Sequence, residues 1–126
     1  MDPARLKDVP LFSSISEQDL TAVAEQADQL EVEAGSVLAH EGDAGEEFFV
    51  IESGTAEVTR DGARLTKLGP GDFFGEIALL REERRVATVT ATSPMVLVVM
   101  PGAAFRALDS TAPAVREAVS RALAER

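Results

Sequence analysis

Phe73-Phe74-Gly75-Glu76-Ile77-Ala78-Leu79-Leu80-Arg81-Glu82-Glu83-Arg84-Arg85-Val86-Ala87-Thr88-Val89 breaks the rhythm of the chain around it. On either side, short β-type runs alternate with glycine turns. Here Glu76 to Leu80 is a run of good helix formers with Gly75 at its entrance. A short helix at this point would present unpaired backbone N–H groups at its N-terminus, which suits an anion without any charged side chain. Nine residues after Glu76 comes Arg85, close to where the chain returns to a strand. A guanidinium can fork two N–H bonds onto phosphate oxygens. A carboxylate cannot bind phosphate, so Glu76 needs another task, and accepting a hydrogen bond from a sugar hydroxyl is the natural one. Helix tip, arginine and hydroxyl acceptor together describe a site for a sugar phosphate. The plainer readings stand beside it. Arg85 could be a surface arginine paired with Glu82 or Glu83, Glu76 a first-turn glutamate favoured by the helix dipole, and Gly75 a turn residue.

Working outward, the region from Gln29 to Met100 reads as short strands punctuated by glycine. Val32 is expected to begin a strand that ends near Ala34-Gly35, and Val37-Leu38-Ala39 a second, before the turn-rich stretch Glu41 to Gly45. Phe48-Phe49-Val50-Ile51 runs into Ser53-Gly54, and Ala56 to Thr59 into Asp61-Gly62, a strong local hairpin signal. Arg64 to Leu68 alternates and then breaks at Gly69-Pro70-Gly71-Asp72. Val86 to Thr92 and Met95 to Met100 supply two more strands, separated by Ser93-Pro94. Short strands at this spacing predict an all-β sandwich or barrel.

Both ends read as helix. Ser16 is a candidate N-cap ahead of Glu17 and Asp19, and Leu20, Val23, Ala24 and Ala27 form one apolar stripe. In the tail, Ala103 to Leu108 follows Pro101-Gly102. Thr111 is a candidate N-cap for a second stripe through Val115, Ala118, Val119, Ala122 and Leu123. That stripe could pack on the barrel, cover a ligand or pair with a second copy of the chain. The expected plan is one domain: helical 1–28, β-barrel 29–100 and C-terminal helices 101–126.

Composition narrows the function. The 126 residues fit one domain, and no apolar run reaches the ~18 residues of a membrane span. The N-terminus lacks an apolar signal core and there is no cysteine, so a cytoplasmic location is expected, with neither disulfides nor thiolate chemistry. The net charge of -10 repels nucleic acid and anionic lipid, so an anionic ligand must be captured by a local positive site. Arg84-Arg85 is the only adjacent basic pair.

The central segment resembles the phosphate-binding cassette of the cyclic nucleotide-binding domain family. That family is shared by catabolite-activator-type regulators, cyclic-nucleotide-dependent kinase regulatory subunits and cyclic-nucleotide-gated channels. Its cassette runs Phe-Gly-Glu, an aliphatic, Ala-Leu, a variable insert, then Arg, a small residue, Ala, Thr and Val. Phe74 to Leu80 and Arg85 to Val89 match it, so the cassette spans 74–89 here. Phe48 to Gly54 looks like the family's strand ending in a glycine turn, Leu68 to Phe74 like its approach to the cassette, and Leu6 to Ile15 like its N-terminal helix and turn.

The resemblance implies a double-stranded β-helix (jelly-roll) barrel with an N-terminal helix and C-terminal helices. It also implies a ligand site. Phe74 and Gly75 would approach the ligand, and Glu76 would bind the ribose 2′-hydroxyl. Arg85 would hold the exocyclic phosphate oxygens, with backbone amides near Ile77, Ala78, Val86 and Ala87 completing the cradle. Val58 and Leu65 would line base and sugar, and Leu79 would touch the C-terminal helices, which shift on binding. Val86 departs from the threonine that cyclic-GMP-selective members often carry, and valine cannot hydrogen-bond guanine, so cAMP is expected over cGMP. The insert Arg81-Glu82-Glu83-Arg84 departs as well, and its glutamates could bridge to Arg84 or Arg85.

Three functions compete. The first is a ligand-sensing regulatory module without catalysis or cofactor. It would act through a protein partner or fused effector domain, with no direct nucleic acid or membrane contact, and a homodimer through the C-terminal helix is one arrangement open to it. The second is a cupin-type metal enzyme. One histidine, His40, and no cysteine cannot build a two-histidine site. The third is a degenerate domain serving as a protein-interaction scaffold without ligand.

Overall fold

The computed structural model describes residues 1–13, 15–75 and 84–124. In chain order they form α1 (Pro3–Lys7), a 3-10 turn (Pro10–Phe12), α2 (Glu17–Gln26), β1 (Asp28–Val32), β2 (Val37–Ala39), β3 (Glu47–Ser53), β4 (Ala56–Arg60), β5 (Ala63–Leu68), β6 (Phe73–Phe74), β7 (Thr88–Ala91), β8 (Met95–Pro101), α3 (Gly102–Thr111) and α4 (Pro113–Ala124). The strands build two four-stranded sheets, ordered β1-β8-β3-β6 and β2-β7-β4-β5, with every pairing antiparallel. This is the expected mainly-β jelly-roll flanked by helices.

The two unbroken apolar runs explain the layering. Along β3, Phe49 and Ile51 point between the sheets, whereas Phe48 and Val50 point at the helices. On β8, Met95, Leu97 and Val99 join the first set, and Val98 and Met100 the second. A strand buried on both faces has no polar side to present, so its sequence does not alternate. The first cluster fills the sandwich with Phe74, Val89 and Ala91. The second is covered by Leu6, Phe12, Leu20, Val23, Phe105, Leu108, Val115 and Val119 from the helical segments. Phe48 stacks on Phe105 with ring centroids 4.6 Å apart, and Phe49 on Phe74 at 4.7 Å. Full burial of such side chains contributes roughly 1.5–3 kcal/mol each.

Local signals mark several boundaries. Ser16 Oγ accepts from Asp19 N–H at 3.1 Å, capping α2. Asp61 and Gly62 both have positive φ, 51° and 82°, as a tight two-residue hairpin turn requires. Three expectations need correction. The strand expected to begin at Val32 ends there instead, since β1 is Asp28–Val32 and pairs with β8 from Asp28↔Val99 to Val32↔Met95. It is an edge strand, so its polar Asp28, Gln29 and Glu31 remain exposed and hide it from an apolar pattern. The strand expected over Val86 to Thr92 shortens to Thr88–Ala91, because the Arg85 backbone pairs with the β2–β3 loop instead. Thr111 is the last residue of α3 rather than a cap, and Pro113 opens α4. The helix expected at Glu76 to Leu80 lies outside the described residues.

Candidate functional site

A cavity of about 500 Å³ opens beside the cassette's described ends. Its floor is apolar: Ala39, Val58, Leu68, Phe74 and Val89 line it from the sandwich interior. Thr66, Lys67, Asp72, Gly75, Arg85, Val86 and Ala87 also line it. An apolar pocket of this size with a few convergent polar groups has the form of a small-molecule site.

Arg85 is positioned by the β2–β3 loop. Its N–H donates to the Asp43 carbonyl at 2.8 Å, and its own carbonyl accepts from Gly42 N–H at 2.9 Å. Arg85 Nη2 donates to the Glu47 carbonyl at 2.8 Å, at the start of β3. The neighbouring Arg84 Nη1 donates to the Gly42 carbonyl at 2.8 Å, and Arg84 forms an isolated antiparallel bridge with Ala44. Gly75 sits against this arrangement with φ of +95°, where a Cβ would lie 2.7 Å from Arg85 Nη1. No side chain fits that gap, so glycine both makes the turn and leaves room for the guanidinium.

The structure brings together Phe74, Gly75, Arg85, Val86, Ala87 and Val58, all on the cavity wall. Val86 keeps 46% of its surface exposed there. Leu65 is not on this wall and is 58% exposed. Ala56 pairs with Leu68 and Val58 with Thr66, so Leu65 falls off their shared face, and it is the extra residue of a β-bulge before Thr59 pairs with Arg64. Thr66 takes the place expected for Leu65, opposite Val58. Glu76, Ile77, Ala78 and Leu79 lie outside the described residues. Sequence reading did not place Ala39, Thr66, Lys67, Leu68, Asp72, Phe73 or Val89 on this wall. Counting back from Leu68, which packs on the inner core, would have put Thr66 on its face.

The family profile described as "Cyclic nucleotide-binding domain" matches residues 29–111. The chain belongs to this family. This cyclic nucleotide-binding domain is 40% identical over 104 residues to a cAMP-dependent protein kinase regulatory subunit of Debaryomyces hansenii, covering 82% of this chain and 23% of that protein. Among solved structures it resembles the Thermus thermophilus catabolite activator protein, with a TM-score of 0.82, 27% identity, and coverage of 93% of this chain and 57% of that one. It also resembles the regulatory domain of Toxoplasma gondii PKA crystallised with cAMP, with a TM-score of 0.83, 23% identity, and coverage of 98% and 49%. The latter likeness speaks for the fold. The domain spans about a quarter of the length of the curated relatives it matches. Among the described residues, no helix is long and apolar enough to cross a membrane.

Proposed function

We propose that this domain is a sensor that binds a cyclic nucleotide in the cavity, with cAMP preferred over cGMP. The observation that carries the reading is Arg85. Its backbone is tied to the β2–β3 loop and its side chain to the Glu47 carbonyl at the start of β3, and its guanidinium lies against Gly75 on the cavity wall. A fixed guanidinium beside an apolar pocket captures an anion whose other end is a planar base, and it does so locally against a net charge of -10. In this reading Arg85 holds the exocyclic phosphate oxygens and Glu76 accepts from the ribose 2′-hydroxyl. Amides near Ile77, Ala78, Val86 and Ala87 surround the phosphate. Val58 and Thr66 face base and sugar from the barrel wall. The preference for cAMP rests on Val86, which has no hydroxyl to offer guanine.

Binding carries no catalytic step in this proposal. Output would pass through Leu79 to the C-terminal helices by a shift in population, and from there to a protein partner or fused effector. Thermal melting with cAMP, cGMP and adenosine tests the ligand. A ligand at about 100 times its Kd adds roughly 2.7 kcal/mol to the folded state. The melting temperature should rise most with cAMP, less with cGMP and least with adenosine. An unchanged melting temperature at millimolar cAMP would leave the fold as an interaction scaffold.

A further inference from the structure

The β2–β3 loop that positions Arg85 has its own anchor. Glu41 N–H donates to Thr88 Oγ1 at 3.1 Å, and Thr88 Oγ1 donates back to Glu41 Oε1 at 3.3 Å. The two carboxylate oxygens of Glu41 also accept from Asp61 N–H, at 3.3 and 3.2 Å. Asp61 is the non-glycine residue of the β4–β5 turn with a positive φ. One side chain therefore joins three segments: the loop, the hairpin turn and the start of β7. Immediately after Glu41 come the backbone bonds from Gly42 and Asp43 to Arg85, and the Gly42 carbonyl also accepts from Arg84.

The geometry points to Glu41 as a positioning residue for Arg85, holding the loop whose Gly42 amide and Asp43 carbonyl fix the Arg85 backbone and so set where its guanidinium starts from. This inference rests on the cyclic nucleotide reading for its effect on affinity, but not for its effect on Arg85. A loop this short, with glycine at Gly42 in a left-handed conformation (φ +88°), keeps little order from its own sequence. Beyond one turn bond from Asp43 N–H to the His40 carbonyl, its shape comes from bonds to other segments. Glu41 and Thr88 make those at one end, and β3 supplies the other. When the Glu41 anchor is removed, the Asp43 and Gly42 bonds to the Arg85 backbone fluctuate, and the base from which the guanidinium reaches the Glu47 carbonyl loses its fixed position before any ligand arrives. Part of the ordering cost then falls on binding.

The test combines calorimetry with amide exchange on Glu41→Ala, Glu41→Gln and Thr88→Val. Glu41→Ala should weaken cAMP binding roughly 5- to 30-fold. Glu41→Gln keeps a carbonyl acceptor for Asp61 and Thr88 and should stay within about threefold of the parent. Thr88→Val should weaken binding in the same direction as Glu41→Ala. In the Arg85→Ala background, Glu41→Ala should add almost nothing, because the residue it positions is gone. An equal loss in both backgrounds would make Glu41 merely structural and overturn the inference. Independently of ligand, Glu41→Ala should speed exchange of the Gly42 and Arg85 amides by about tenfold or more. Unchanged exchange at both amides overturns the inference. Faster exchange in a chain that binds no cyclic nucleotide would refute the ligand reading and leave the tether on Arg85 standing.

Discussion

Gly75 and Arg85 compete for the same space: a Cβ on Gly75 would lie 2.7 Å from Arg85 Nη1 and 2.6 Å from the Glu47 carbonyl oxygen that the same guanidinium contacts. One of these neighbours is backbone within a paired strand and cannot retreat. The guanidinium is the neighbour free to move, and the contact with the carbonyl falls on the backbone of residue 75 itself. Room for the arginine is thus created by the absence of a side chain ten residues earlier.

Gly75→Ala should therefore do two things. The backbone at φ +95° would be strained by roughly 1–3 kcal/mol, seen as a lower melting temperature. The displaced guanidinium should also weaken cAMP binding by about tenfold or more at temperatures where the variant is fully folded. A variant with lowered stability and parent-like affinity would show that Arg85 does not hold the ligand from this position.

Gly54→Ala is the contrasting case. A Cβ there would meet the Pro94 carbonyl, and would lie 2.8 Å from Met95 Cγ and 2.9 Å from Met95 Cα, at a φ of +92°. Most of this crowding is against backbone where the β3–β4 and β7–β8 turns meet, away from the cavity. Strain and overpacking together should destabilise the fold by roughly 2–5 kcal/mol, measurable by urea denaturation. Affinity measured on the folded fraction should stay close to the parent's. A Gly54→Ala variant of unchanged stability would mean that the two turns do not pack as described.

Val86→Thr tests ligand choice. The residue is half-exposed on the cavity wall, so exchanging a methyl for a hydroxyl should leave stability almost unchanged. A new hydrogen bond to guanine should shift the cGMP-to-cAMP affinity ratio upward by roughly 2- to 10-fold, read by competition between the two nucleotides. No change in the ratio would remove Val86 as the determinant.

Much of one sheet was legible because its inner strands, β3 and β8, are apolar on both faces. Phe48 to Ile51 and Met95 to Met100 announce themselves, and Asp61-Gly62 announces its turn. What escaped was written in other terms. β1 is a polar edge strand, so an apolar pattern starts it too late. Leu65 was placed on the wall by the resemblance alone, whereas the register puts Thr66 opposite Val58. The restraint on Arg85 escaped most completely. It comes from the carbonyls of Asp43 and Glu47 and the amide of Gly42, groups that every such residue possesses and that no side-chain pattern can signal. Gly75 and Arg85 themselves were legible through the resemblance of the cassette, although the reason they belong together is steric and appears only in three dimensions.

Calorimetric titration of the parent chain and Arg85→Ala with cAMP, side by side at one ionic strength, bears most directly on the cavity's role. A charge-assisted phosphate contact contributes about 1.5–3 kcal/mol, so the variant should bind roughly 10- to 150-fold more weakly while melting near the parent temperature. Equal affinities in the two proteins, or no heat from the parent at millimolar cAMP, would contradict it.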